Sequence, residues 1–195
     1  MTWQYTKRPD GKIAVALDNN MWNFLFDRKL DLALELPSDE FVIFIPREIE
    51  IEKDAIPPKE SMAALKAFIG QTIADCGITT NWMFGFDRHE SGLQRNGGWD
   101  RGTWQSGTER DFYAEIEEKF LTGQRKMGSQ LSKNEADAAV AAKSFSSIVL
   151  TCESRRGNGP LSYAADRGGA VLYLDPFDAS KQTLRECIVS YYQQF

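Results

Sequence analysis

Four short apolar runs constrain this chain more than any other feature: KIAVAL (12–17), FVIFI (41–45), SIVLTC (147–152) and AVLYL (170–174). FVIFI is apolar at every position, whereas a strand with one wet face would alternate, so it reads as a strand buried on both faces. Helical stretches lie between the runs. MWNFLFDRKLDLALEL (21–36) carries Trp22, Phe26 and Leu30 near one stripe, and KESMAALKAFIGQTIADC (59–76) is amphipathic. TERDFYAEIEEKFL (108–121), a segment over 133–144, one opened by Pro160 and a last one from Asp175-Pro176 complete the set. Strands alternating with helices predict a three-layer α/β/α sandwich around a mostly parallel sheet of four or five strands. The length suits a single domain over 1–195. Residues 77–107, rich in glycine and tryptophan and poor in periodicity, read as a loop-rich insertion or flap.

In a parallel sheet of this kind, ligands bind outside the carboxyl ends of the strands. That rule draws attention to Asp18, to Pro46–Glu52, to Thr151–Glu153 and to Asp175. Asp18 could cap the next helix, although Asn19 and Asn20 could do the same. Glu48, Glu50 and Glu52 could each be solvated charges, and Glu48 and Glu52 share a face if a helix starts at Pro46. Asp175 is accounted for as a turn or cap residue.

The stretch NEADAAVAA (134–142) separates more sharply. Ser132 and Glu135 fit a capping box, with Leu131 and Ala136 as its staple. Asp137 is then placed in the second turn, past capping range, among alanines that imply close packing. A buried carboxylate is costly unless paired, protonated or bound to metal. Together with Asp18 and Glu153, it suggests carboxylates meeting at one sheet edge, a donor set suited to Mg²⁺ or Mn²⁺.

Net charge is -5, so contact with a polyanion would need local basic patches or bound cations. Cys76, Cys152 and Cys187 are far apart and odd in number, which favours reduced thiols in a cytoplasmic protein. No stretch approaches the roughly 18 apolar residues of a membrane span. There is no phosphate-binding loop of the G-x-x-x-x-G-K-[ST] type.

Taken together, IAVALDNNMWNFL, VIFIPREIEIE and KNEADAAVAAKSFSSIVLTCE…GPLSYAADRGGAVLYL resemble the PIN domain of metal-dependent ribonucleases, a family that includes toxins of bacterial toxin–antitoxin pairs. The resemblance covers about 1–60 and 130–195, in order. It implies a PIN-like fold in which Asp18, Glu52, Asp137 and Glu153 hold one or two Mg²⁺ or Mn²⁺ ions, with Glu48 and Glu50 as register alternatives to Glu52. Asn20 and Thr151 would orient ligands or waters. The implied reaction is hydrolysis of an RNA phosphodiester, and the implied partners are RNA, an inhibitory antitoxin-like protein and a second copy of the chain. Glu153 stands where the family has Asp, which lengthens one arm of the site.

Arg155 and Arg156 near the mouth, and Arg88, Arg95 and Arg101 in the 77–107 region, are candidates for phosphate contacts. Trp99 and Trp104 could stack on single-stranded bases. His89, the only histidine, lies in a loop and is weak as a catalytic group. Two rivals remain: a PIN-like binding scaffold without catalysis, and a haloacid-dehalogenase-like phosphatase. The phosphatase would want a second Asp where Asn20 stands.

Overall fold

The computed structural model describes residues 3–57, 59–84, 94–99, 101–121, 123 and 129–195. In chain order the elements are β1 (Ile13–Leu17), α1 (Met21–Arg28), α2 (Leu32–Glu35), β2 (Phe41–Pro46), α3 (Arg47–Asp54), α4 (Glu60–Cys76), β3 (Thr79–Phe84) and β4 (Asn96–Gly97). There follow β5 (Gly102–Thr103), α5 (Gly107–Phe120), α6 (Glu135–Lys143), β6 (Ile148–Thr151), α7 (Pro160–Asp166), β7 (Val171–Tyr173) and α8 (Leu184–Tyr192).

The sheet runs β4-β3-β2-β1-β6-β7, with β5 also pairing β3, and all its pairings are parallel. β1 is buried along its whole length and β6 likewise, as apolar runs at the centre of a parallel sheet require. On one side α6 packs on β1, β2 and β6, flanked by α3, α5 and α7, while α4 packs with α1 and α2. This is a three-layer α/β/α sandwich. Among the described residues no helix is long and apolar enough to cross a membrane.

The chain runs outward from β1 in one direction through β2 and β3, then returns to the other side of β1 for β6 and β7. The order therefore reverses between β1 and β6. In doubly wound sheets that reversal opens a crevice at the carboxyl ends of the two strands. Asp18 and Thr151 stand at that crevice, with Leu17 opposite Leu150 and the Asp18 amide donating to the Leu150 carbonyl at 3.1 Å.

The structure corrects four expectations. Two strands of two residues each, β4 and β5, raise the sheet to seven. The 77–107 segment is not a pure insertion, because Thr79–Phe84 is a sheet strand with half-buried side chains that hide the apolar signature. Residues 21–36 form two helices: Lys29 takes a left-handed φ of 52°, and the Leu30 amide bonds back to the Leu25 carbonyl at 3.0 Å. Asp31 then caps α2 by accepting from the amides of Ala33 and Leu34. The last helix starts at Leu184 rather than near Asp175, fixed by a capping box between Thr183 and Glu186.

The alanines of α6 do what their size suggests. Ala136, Ala138, Ala139, Ala141 and Ala142 are all buried, so the helix backbone lies close against the sheet and its neighbours. Ala141→Leu is expected to cost about 1–3 kcal/mol by overpacking. Urea unfolding measures it, and an unchanged midpoint would show that the helix has room to spare.

Candidate functional site

Asp18 is 3 % exposed at the end of β1. It does not cap α1: its Oδ1 accepts only from the adjacent Asn19 amide, at 2.7 Å, and Oδ2 is taken up by side chains. The Thr151 hydroxyl donates to Asp18 Oδ2 at 2.6 Å and accepts from Asn20 Nδ2 at 3.2 Å and from the Glu153 amide at 3.1 Å. Its one proton and two lone pairs are thus all used. Asn20 occupies the helix N-cap but makes no side-chain cap bond. Its Nδ2 donates to Asp18 Oδ2 at 2.7 Å while its Oδ1 accepts from the Cys152 amide at 2.9 Å, which fixes which end of the amide is which. Thr151 and Asn20 therefore hold Asp18 by hydrogen bonds.

Burial pushes the Asp18 carboxyl up to about 6. The Thr151 and Asn19 hydrogen bonds oppose this, while the negative charges of Asp137 and Glu52 add to it. Those two carboxylates belong to α6 and α3. Glu52 is fixed by Asn19, whose Nδ2 donates to Glu52 Oε2 at 3.3 Å. In sequence, Asn19 is marked only as an alternative cap for α1.

The three glutamates of α3 take different directions. Glu50 pairs with Arg47 at 2.5 Å and accepts from the Thr80 hydroxyl at 2.8 Å. Glu48, 4 % exposed, faces Glu135, Lys143 and Arg95 instead of sharing a site with Glu52. Glu52 is the one whose charge is felt at Asp18. Glu153 is half-buried with its amide on Thr151, and its charge is felt at Tyr173.

Asp137 lies in the first turn of α6, not the second, because the helix begins at Glu135 behind a left-handed Asn134 with φ 65°. Only half of the expected capping box forms: Glu135 Oε2 accepts from the Ser132 amide at 2.6 Å, while no side chain caps the helix. The other carboxylate oxygen of Glu135 pairs with Arg95, so Arg95 is a buried structural cation rather than a phosphate contact.

Other basic candidates sit at the surface. Arg155 pairs with Asp166 at 2.5 Å, beside the Tyr173 ring. Arg156 is exposed, and Arg101 lies 5.9 Å from the Trp82 ring. Arg88 and His89 fall outside the described residues. A cavity of about 300 Å³ adjoins the site through Asn20 and Cys152 and is lined also by Asn23, Phe24, Arg28 and Asp175. Arg28, which no motif marked, places its guanidinium 4.2 Å from the Phe24 ring there.

By chemistry alone, Asp18, Asp137 and Glu52 are hard oxygens whose mutual repulsion a divalent cation of the Mg²⁺ or Mn²⁺ type would relieve. Among the described residues, however, no group of three or more His, Cys, Asp or Glu side chains is gathered closely enough to hold a metal ion. No protein-family model matches the chain, and neither a curated protein nor a solved structure matches it.

The neighbouring ionic cluster makes its own pH dependence. Burial pushes the Glu48 carboxyl from 4.5 up to about 7, with Glu135 adding to the rise and Lys143 and Arg95 opposing it. Between those values the folded protein holds a proton that the unfolded chain releases, so stability falls as pH rises and the loss is complete above about 7. Glu48→Gln should therefore gain on the wild type by about 3 kcal/mol between pH 4 and pH 8. Urea unfolding at both pH values tests this, and a difference independent of pH would reject it.

Proposed function

We propose that the carboxyl end of the sheet is a metal-dependent nuclease centre of the PIN type, acting on RNA phosphodiesters. One observation carries the reading: a buried carboxylate, held by Thr151 and Asn20 at the β1/β6 reversal, lies in the field of two further carboxylates. Such an arrangement is unfavourable by itself, because burial and like charge both act against the ionised form. Positive charge brought to the site relieves it. Asp18, Asp137 and Glu52 would hold Mg²⁺ or Mn²⁺, with Glu153 as a further oxygen donor at the rim.

Bound there, the ion would supply Lewis acidity to the phosphoryl group and help generate the nucleophile. The protein's own part is positional. Thr151 fixes the Asp18 oxygen by donating to it, and Asn20 ties that pair to the backbone of the residue after β6. Asn19 holds Glu52 at the same mouth. The phosphatase rival loses ground here, since Asn20 is committed as an amide and has no proton to give or take at the pH of reaction.

A second reading is a PIN-like scaffold that binds without cleaving, since no close group of three metal-ligating side chains occurs among the described residues. Calorimetry separates the two. The nuclease reading expects carboxylate-dependent Mn²⁺ binding at pH 7.5 that is lost in Asp18→Asn, together with Mn²⁺-dependent RNA cleavage that this variant abolishes. Thr151→Ala should weaken Mn²⁺ about 10–100-fold. Because protons compete for Asp18, apparent affinity should fall up to about tenfold per pH unit below pH 6. Cleavage with undiminished rate in Asp18→Asn would reject the site, and absence of both binding and cleavage would select the scaffold.

A further inference from the structure

We propose that the aromatic rings at the tip of β3 form a stacking platform for single-stranded nucleic acid, which leads a strand toward the Asp18 site. The nuclease reading supplies only the fate of the strand once it is bound.

Two tryptophans on this edge are unusually open: Trp99 is 85 % exposed and Trp104 is 69 % exposed. Burying such rings is normally among the largest gains a fold can make. They are nonetheless ordered against each other. Phe84 and Trp104 stack at 4.1 Å with 22° between their planes. Trp99 stands edge-on to both, 5.2 Å from Phe84 and 6.4 Å from Trp104. Beside them the Trp82 ring carries Arg47 at 4.4 Å and Arg101 at 5.9 Å.

The backbone beneath is built for this display. A Cβ at Gly97 would lie 2.6 Å from the Gly102 amide nitrogen. A Cβ at Gly102 would lie 2.5 Å from the Gly97 carbonyl and 2.7 Å from the Phe84 ring. Glycine at both positions lets β4 and β5 close on the end of β3 and carry Trp99 and Trp104 outward.

Position connects the rings to the site. Ala16 pairs with Phe44 and Pro46 with Asn81, so the ends of β1 and β2 are level with Asn81 in β3. β3 continues past that level through Trp82, Met83 and Phe84, at the same end of the sheet as Asp18. Two strand spacings, about 10 Å, separate β3 from β1. A few nucleotides cover that distance.

The chemistry selects the occupant. The other exposed large apolar side chains among the described residues, Leu34 and Phe195, belong to other parts of the chain. The patch offers ring faces and guanidinium groups side by side. Bases present π-faces and a phosphate backbone, which match rings and arginines respectively. Duplex bases are stacked internally and cannot reach the rings, so the strand must be single. With a net charge of -5, general attraction to a polyanion is absent and stacking must carry the affinity.

Tryptophan fluorescence tests the platform directly. The full chain in EDTA and low salt is titrated with a single-stranded oligouridine, then with a duplex of the same length. The expected result is saturable quenching by the single strand, little by the duplex, and at least tenfold weaker binding by fluorescence anisotropy of a labelled strand in Trp99→Ala/Trp104→Ala. Circular dichroism verifies that the double variant folds. Equal binding by wild type and double variant, equal quenching by duplex, or self-association that only the double variant abolishes would each overturn the proposal. Quenching without any Mn²⁺-dependent cleavage would reject the nuclease reading alone. Cleavage without quenching would reject the platform alone.

Discussion

The carboxyl end of the sheet depends on the hydroxyl of Thr151. Donating to Asp18 while accepting from Asn20 and from the Glu153 amide, it joins β1, the start of α1 and the exit of β6 through one oxygen atom. A buried carboxylate without such partners would protonate or drag in water. With them it stays oriented, although burial still raises it to about 6. The reversal of strand order opens a crevice here, and this hydroxyl determines what that crevice presents.

The same two helices that bring carboxylates to Asp18 also bring carboxylates to a separate ionic cluster. From α3, Glu52 goes to the site and Glu48 to the cluster; from α6, Asp137 goes to the site and Glu135 to the cluster. The helices pack on each other, so four acidic groups occur along one contact. Arg95 pairs with Glu135, and Lys143, 3.8 Å from Glu109, adds a second buried cation. These cations offset repulsion that would otherwise part α3 from α6. A buried pair contributes little net stability, yet removing one partner leaves an uncompensated charge and is costly. The cluster therefore acts as a brace for the geometry of the neighbouring site.

Much of this was legible in the residues. FVIFI and SIVLTC announce central strands because a strand covered on both faces has no reason to alternate. β3 escaped detection for the complementary reason: TTNWMF is half-buried at the side of the sheet and interrupted by polar groups. The break at Lys29 left no mark, since a lysine in left-handed backbone looks like any other lysine. Arg95 reads as a surface cation until Glu135, distant in sequence, arrives beside it. Asp18 stood out because it directly follows a buried strand while Asn19 and Asn20 could serve as caps in its place. The division of Glu48 from Glu52 was not, since helical spacing puts them on one face and only tertiary packing tells which neighbour each one meets.

The alanines of α6 set the scale of the site. Helices that meet through large side chains stand about 8–10 Å apart, axis to axis. A buried face of methyl groups draws the helix nearer to the sheet and brings the Asp137 backbone closer to Asp18. Asp137 also sits in the first turn, where the helix dipole favours negative charge. Its ionised form is thus supported by its own helix while it raises the neighbouring carboxyl. Burial raises the Asp18 carboxyl to about 6, so proton and cation compete at that residue. Substitutions that thicken the alanine face would widen the carboxylate gap without touching any carboxylate, so packing and electrostatics at this end of the sheet are a single variable.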